Sequence, residues 1–482
     1  LPPRSGFAVR SRQRVATEEP VRPQTHRAAL IMAAGKSTRM KSRLPKAVHP
    51  LCGRPVAMHV IQACRDAGLE RIVVVVGHEA DAVRQTLGDG VEYVEQDRQL
   101  GTGHAVMCAE QALEGFDGVL AVLPADTPLI RPDSIARMME DCERRGCAAS
   151  LLTAEMDEPA MYGRIVRSPS GEVERIVEAK DAPPEVLAIR EVCTSIYAFD
   201  ARRLFPALRR LSPGNRQQEY YLTDVIGIFR SEGLPVSATV ADDPSEVLGI
   251  NTRLELAEAT AVLRDRIRRR HMLDGVTMLD PASVHIDVDV RIGQDTVLYP
   301  GCVLEGRTRI GSGCVIGPWS RIVDSVLEDG VTFEASVAVE AEVGRGSRVG
   351  PYSRLRPGAR LGENVIIGDF VEIKNSIIHD GVSIAHMTYI GDAEIGAHTN
   401  IGAGTITCNY DGRRKHRTVI GEGAFVGSHT TLNAPVTVGD GAFIGSGSVI
   451  TKDVPPDALA LGRAQQIIKE GWAKRRREQS EE

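Results

Sequence analysis

Residues 342–373 read EVGRGSRVGPYSRLRPGARLGENVIIGDFVEI, and a branched aliphatic side chain stands at every sixth position: Val343, Val349, Leu355, Leu361, Ile367 and Ile373. A period of six matches neither the 3.6-residue helix nor the two-residue strand. It suits a chain that makes a short strand, turns sharply and repeats that step around a prism, with the aliphatic side chain pointing inward each time. Gly344, Gly350, Gly362 and Gly368 follow the aliphatic residue, where a tight corner is expected to need backbone angles that other residues resist. The same period runs through Ile310, Ile316 and Ile322, and through Ile420, Val426, Leu432, Val438, Ile444 and Ile450. The pattern begins after Val276, so residues 276–457 are expected to form a hexapeptide-repeat β-helix, followed by a C-terminal segment, 458–482.

Upstream the rhythm differs. Apolar runs such as AALIM (28–32), RIVVVV (71–76) and GVLAVL (118–123) alternate with helix-like stretches such as VAMHVIQACRDAG (56–68), the signature of an α/β domain with a mainly parallel sheet over residues 28–252. Residues 253–275 hold strong helix formers and read as one linker helix; its arginine cluster at 264–270 reads as a solvated face. Residues 1–27 carry Arg and Pro without apolar periodicity and read as a disordered tail; Glu18 and Glu19 argue against a transit peptide.

The chain has 482 residues, a net charge of −6 and basic residues spread along its length, which argues against nucleic acid as a partner and for small anionic substrates. No apolar run approaches a membrane span. Nine cysteines without a C-x-x-C pair indicate neither a disulfide framework nor a zinc ribbon, and point to a cytoplasmic protein.

Two stretches carry chemistry. MAAGKSTRM (32–40) follows a strand, and its small residues Ala33, Ala34 and Gly35 would let a nucleotide lie against the backbone. It is not a P-loop, because the first glycine of that motif falls on Leu30. Arg39, and Lys46 in LPKAVHPL (44–51), supply two cations suited to charge that builds during pyrophosphate chemistry. QDRQLGTGHA (96–105) adds Gln96, Gly101 and Thr102, and GVLAVLPADTPLI (118–130) places Asp126 at a strand's C-terminal end, a position fit for a Mg²⁺ ligand. In the second stretch the six-residue series is broken between Ile401 and Ile420 by a polar, basic insertion, the kind of loop that carries sites on solenoids. His386, Tyr389 and Asn400 lie just before it, and Arg356 and Lys374 somewhat earlier. A histidine among polar and basic side chains is a residue type suited to act as a general base near neutral pH.

In order along the chain, MAAGKSTRM, LPK, QLGTGHA, PADTPL, YGRI, IVEAKD, EYYLTD and GINTR, followed by the hexapeptide half, resemble the bacterial bifunctional N-acetylglucosamine-1-phosphate uridyltransferase/glucosamine-1-phosphate N-acetyltransferase family from about Ala28 to Trp472. The resemblance implies a Rossmann-like nucleotidyltransferase domain and a left-handed parallel β-helix, a homotrimer with sites between subunits, and synthesis of UDP-N-acetylglucosamine for peptidoglycan and lipopolysaccharide. Acetyl-CoA would acetylate glucosamine-1-phosphate, and UTP would then react with N-acetylglucosamine-1-phosphate, releasing pyrophosphate. It implies uridine nucleotide contacts at Met32, Ala33, Ala34, Gly35, Lys46, Gln96, Gly101 and Thr102, a Mg²⁺ pair of Asp126 and Asn251, sugar contacts at Gly163, Glu178 and Cys193, and charge-offsetting roles for Arg39 and Lys46. In the second half it makes His386 the general base, with Arg356, Lys374, Tyr389, Asn400 and Lys415 holding glucosamine-1-phosphate and Ala403, Asn409, Tyr410, Ser428, Ser446 and Arg463 holding acetyl-CoA. The chain departs from the family at Cys193–Thr194–Ser195, where Asn-Thr-Gly is usual, and at Ala125, where Gly is usual. A thiol lacks an amide's donor and acceptor set, and one lost hydrogen bond is worth about 0.5–1.5 kcal/mol. Two other readings compete: a nucleotidyltransferase with a structural or regulatory β-helix, and a non-catalytic subunit. The first leaves His386, Tyr389, Asn400 and the NYDG loop unexplained, and the second leaves Arg39, Lys46 and Asp126 unexplained.

Overall fold

A computed structural model of the chain describes residues 26–479. The N-terminal tail expected at 1–27 lies outside the described residues up to position 25. Its last residue is not tail: Arg27 begins the first strand and pairs with Glu143 at 2.6 Å. The chain divides into two compact units, one from residues up to His49 together with Pro55–Glu255, the other from Pro50–Arg54 and Leu256 onward.

The first unit is built on a mixed sheet. Its strands are β1 (Arg27–Met32), β2 (Arg71–Val76), β3 (Glu92–Glu95), β4 (Val119–Pro124), β5 (Ala149–Glu155), β6 (Gly163–Arg167), β7 (Val173–Val177), β8 (Glu191–Asp200) and β9 (Val236–Val240). The order across the sheet is β9-β5-β8-β4-β1-β2-β3, with β6 and β7 as a hairpin on β8. β1 runs parallel to β2 and β4, pairing Leu30 with Val73 and Val122. Side chains on both faces of β1 are buried, as continuous apolar runs in a central parallel strand require: Leu30 and Ile31 are both 0% exposed. β8 is antiparallel to β4 and β5, so the sheet is not wholly parallel. A register shift between Cys193 and Ile196 kinks β8, with Ser195 in the left-handed region at φ 61°. The ends of β1 and β4 deliver the Met32–Gly35 loop and Asp126 side by side, held by Ala125 N–H donating to Met32 O at 3.0 Å.

The second unit is a left-handed parallel β-helix. Among the described residues its strands, mostly two or three residues long, stack into three sheets. The first face runs from Thr277–Met278 to Leu459–Ala460, the second from His285–Ile286 to Val449–Ile450, and the third from Arg291–Ile292 to Val436–Val438. Three six-residue steps make one coil, so Val343 pairs with Leu361 and Leu355 with Ile373. Every aliphatic residue of the three series is buried in one continuous core. The glycines after them act differently from expectation. Of the four, only Gly350 has positive φ; at Gly344, Gly362 and Gly368 the next coil passes so close that a β-carbon would collide with it, at 2.4 Å from Gly362 O in the case of Gly344. The left-handed corners fall two residues later, at Gly346 and Asn364. The sequence 253–273 forms one helix, Arg253–Leu273, which buries only Ala259, Ile267 and His271.

Because Leu355 is fully buried midway along the prism, Leu355→Ala is expected to destabilise the β-helix by about 2–5 kcal/mol. Urea titration followed by circular dichroism checks this, and an unshifted midpoint would mean that the coils collapse around the lost volume.

Candidate functional sites

In the first unit four polar side chains converge. The Lys46 ammonium pairs with Asp126 and donates to Asn251 Oδ1 at 2.9 Å, and Arg39 donates to the same oxygen at 2.9 Å. Each is held from behind. Ser37, left-handed at φ 54°, accepts the Lys46 backbone N–H at 3.0 Å and so ties LPK to the MAAGKS loop. Ile250 N–H donates to Asp126 O at 2.9 Å. Thr252 and Glu255 form a reciprocal capping box: Glu255 Oε2 accepts from the Thr252 and Asn251 backbone N–H groups at 2.7 Å each, and Thr252 Oγ1 accepts the Glu255 N–H at 3.2 Å. Asn251 is thereby fixed at a helix start. Asp126 and Asn251 offer two hard oxygens to one point, which fits Mg²⁺, an ion that takes one or two protein ligands and leaves the rest to water and phosphate. Among the described residues no cluster of three or more His, Cys, Asp or Glu could hold a metal.

Beside this cluster, Ala33 and Ala34 are buried and Gly35 is exposed at the end of β1, where a β-carbon would meet open space. Gln96 is buried and donates to Gly101 O at 3.2 Å. Gly101 takes φ 108° with its α-carbon against Tyr220 O, which a β-carbon would approach to 2.6 Å; only glycine fits there. Thr102 Oγ1 accepts Leu222 N–H at 3.1 Å, so the EYYLTD segment straps the QLGTG loop in place. Glu178 accepts from Thr223 Oγ1 at 3.2 Å, and burial pushes its carboxyl above the ordinary value. Gly163 pairs with Cys193 across β6 and β8. The expectation of a Cys193 side-chain contact with sugar is corrected by its placement. The thiol is buried, lies 3.2 Å from the Tyr197 hydroxyl, and burial raises its pKa to about 12. A residue at this position whose side chain points into the core leaves only its backbone for a ligand.

In the second unit His386 ends a first-face strand, one residue before the corner to the second face. Its Nδ1 lies 2.7 Å from Asp369 Oδ1, the residue paired with it in the preceding coil. That hydrogen bond holds the Asp369 carboxyl below its ordinary value and leaves Nε2 to accept a proton. Lys374 and Tyr389 lie on adjacent strands of the second face, and Arg356 directly follows the neighbouring strand Arg354–Leu355. Arg356 pairs with Glu372 at 2.8 Å, and Lys374 sits 3.7 Å from Asp392. Lys415, in the inserted loop, faces Lys374, whose hydrogen bond and charge push its ammonium below the ordinary value. Two cations so close are arranged for an anion such as phosphate. Asn400 alternates with buried Ile401 on the first face, so it does not share the strip of Arg356, Lys374 and Tyr389. Ala403, Ser428 and Ser446 line the first–second corner, and Arg463 reaches them by donating to Ser446 O at 2.8 Å. Asn409 and Tyr410 stand at the second–third corner. The Asn409 amide is buried and bonded to Asp392.

Comparison with known proteins matches these two units. The MobA-like NTP transferase domain family matches residues 29–222. The six-repeat bacterial transferase hexapeptide family matches 289–324 and 417–452, and the GMPPB C-terminal domain family matches 340–434. The chain is 50% identical over 454 residues to the bifunctional protein GlmU of Trichlorobacter lovleyi, covering 94% of this chain and 99% of that protein. It is 49% identical to the GlmU of Heliobacterium modesticaldum, with coverage of 94% and 99%, and 48% identical to that of a Geobacillus species, with coverage of 93% and 98%. The chain belongs to the bifunctional GlmU family. It is a two-activity enzyme, an acetyltransferase and a uridyltransferase that together make UDP-N-acetylglucosamine. No helix among the described residues is long and apolar enough to cross a membrane.

Two residues that support these side chains lie outside the motifs read from the sequence. Glu255 was legible, because Thr252-x-x-Glu255 is a capping-box signature directly after Asn251. Asp369 was not, since nothing marks it until the 17-residue coil sets it beside His386. Glu255→Ala is expected to raise the Mg²⁺ concentration needed for half-maximal uridyl transfer by about 10-fold, the lower end for losing a residue that orients a metal ligand. Acetyl transfer should not change, and metal titrations of both activities check the outcome.

Proposed function

We propose that uridyl transfer runs at the Lys46, Asp126 and Asn251 cluster and acetyl transfer at His386. In the first reaction the loop of Met32, Ala33, Ala34 and Gly35, with Gln96, Gly101 and Thr102, holds the uridine nucleotide. Gly163, Glu178 and the backbone at Cys193 hold the sugar of N-acetylglucosamine-1-phosphate. Asp126 and Asn251 would hold Mg²⁺, which would supply positive charge to the triphosphate when bound. Arg39 and Lys46 offset the charge that develops as the sugar phosphate attacks the α-phosphate and pyrophosphate leaves. The observation that carries this half is the meeting of Lys46 and Arg39 at Asn251 Oδ1, with Asp126 paired to the same Lys46 ammonium.

In the second reaction the phosphate of glucosamine-1-phosphate lies against Arg356, Lys374 and Lys415, with Tyr389 and Asn400 on the sugar. Acetyl-CoA lies along Ala403, Ser428, Ser446 and Arg463, with the loop of Asn409 and Tyr410 closing on it. His386 Nε2 takes the proton from the substrate ammonium, the free amine attacks the thioester carbonyl to form the C–N bond, and as the C–S bond breaks the second N–H proton passes to the departing thiolate, which leaves as coenzyme A. Asp369 holds the imidazole with Nδ1–H donating, and stabilises the imidazolium when Nε2 is protonated. The 2.7 Å Asp369–His386 contact supports this reading. The protein works in the cytoplasm as a homotrimer. Separate assays test the two halves: thiol release with glucosamine-1-phosphate, and pyrophosphate release with N-acetylglucosamine-1-phosphate. Absence of either activity in the purified chain overturns that half.

A further inference from the structure

Gln96 is the first residue after β3, and it stands beside the Met32–Gly35 loop at the C-terminal edge of the sheet. β2 and β3 pair as far as Val76 and Glu95, and the Gln96 backbone N–H continues that ladder by donating to Val76 O at 2.8 Å. On the other side of β2, Ala33 N–H donates to Val75 O at 2.8 Å. Gly77 lets the loop lie close, because a β-carbon there would come within 3.1 Å of Ala34 O and 3.0 Å of Gln99 Nε2. The strand ends of an α/β sheet are where such folds gather a ligand.

The orientation of the Gln96 amide is fixed by its neighbours. Its nitrogen lies 3.2 Å from Gly101 O and 3.0 Å from His104 Nδ1. A carbonyl oxygen only accepts, so the amide atom that faces it is Nε2 and not Oε1. The second amide hydrogen goes to His104, whose Nδ1 is then the bare nitrogen and whose ring proton sits on Nε2. Both acceptors are held. Gly101 packs against Tyr220 O, the Gly103 N–H donates to that oxygen at 2.8 Å, and the Tyr220 N–H donates to Leu100 O at 2.8 Å. His104 belongs to the helix Thr102–Cys108, and its ring centroid lies 6.4 Å from that of Tyr220. With both hydrogens engaged, the amide has only Oε1 to offer a ligand. That oxygen accepts from none of the described residues and is not sealed from solvent, so it is the open end of a side chain only 3% exposed.

We infer that His104 is a specificity-determining positioning residue: by holding the Gln96 amide in this sense, it makes the base site prefer uracil to cytosine. Uracil carries an N3–H donor where cytosine carries a bare, accepting N3. A fixed Oε1 bonds the first and repels the second, and a site built to pair one polar edge rejects a base that leaves its buried group unpaired. Turned half a revolution, the amide would present Nε2 and suit cytosine, but Oε1 would then face Gly101 O and His104 Nδ1. The inference rests on the reading of Gln96 as a nucleotide contact and adds the residue that sets its hydrogen-bonding sense.

The test is full-length His104→Phe, which keeps a ring beside Tyr220 and loses the acceptor. One mixture of UTP and excess CTP with N-acetylglucosamine-1-phosphate gives the ratio of the two kcat/KM values from the UDP- and CDP-sugars separated by chromatography. The UTP/CTP ratio should fall by about 5–10-fold, the worth of one hydrogen bond, while acetyl transfer stays at wild type. His104→Asn, whose Oδ1 accepts from Gln96, should restore most of the ratio. A loosened fold would lower the use of both nucleotides alike, so an unchanged ratio in His104→Phe overturns the inference whatever the absolute rates. Gln96→Leu separates that failure from a failure of the nucleotide reading. It should lower kcat/KM for UTP by at least about 10-fold, and wild-type UTP kinetics in this variant would overturn the nucleotide contact and the role of His104 together.

Discussion

Replacing His386 by alanine should lower acetyl transfer by about 10²–10⁴-fold, the range for losing a general base, with little change in apparent acetyl-CoA affinity. The substrate amine reaches the enzyme as an ammonium and has to shed a proton before it can attack the thioester. With Asp369 2.7 Å from Nδ1, the proposed acceptor is the opposite nitrogen of His386. Raising the pH should partly rescue the variant, because solution then supplies free amine. Uridyl transfer should be unaffected. Single-turnover measurements keep product release from masking the loss, and wild-type acetylation near neutral pH would make His386 a structural residue.

The second large effect is expected at Asp126. Losing a residue that only supports a metal ligand costs about 10–100-fold in metal affinity or activity, and losing a direct ligand costs more. Asp126→Ala should therefore abolish uridyl transfer at any attainable Mg²⁺ concentration and spare acetylation. Mn²⁺ binding followed by electron paramagnetic resonance gives a readout independent of turnover: the variant should fail to take up the ion in the presence of UTP. The substitution also removes the partner of the Lys46 ammonium. Asp126→Asn, which keeps a hydrogen-bond acceptor for Lys46, separates the two roles, and uridyl transfer retained in the alanine variant would sink the metal assignment.

The β-helix was legible because a coil repeats one decision many times. Each of Val343, Val349, Leu355, Leu361, Ile367 and Ile373 is buried as its spacing requires. The glycine reading was less accurate: Gly344 and Gly362 answer to the next coil's backbone, a neighbour 18 residues away that no local pattern reveals. The first unit showed its strands and its MAAGKSTRM loop through apolar runs and small residues, but not the antiparallel β8, whose direction depends on the whole sheet. Of the motif residues, Lys46 and Asp126 come together in the structure and His386 lies beside Asp369. Cys193 and Asn409 were found by position, yet their side chains turn to Tyr197 and Asp392. Side-chain direction at a kinked strand or a corner is set by tertiary neighbours. Asp369 illustrates the remaining limit, since its partner is fixed by coil length rather than by sequence distance.

The central claim, two separate transfers in one chain linked by a released intermediate, is tested most directly by mixing two variants. His386→Ala and Asp126→Ala proteins are supplied with glucosamine-1-phosphate, acetyl-CoA, UTP and Mg²⁺, and UDP-N-acetylglucosamine is measured by chromatography. Each protein alone should make almost none, and the mixture should make it readily, because one variant releases N-acetylglucosamine-1-phosphate that the other converts. Wild-type product formation by either variant alone, or none from the mixture, would contradict the assignment.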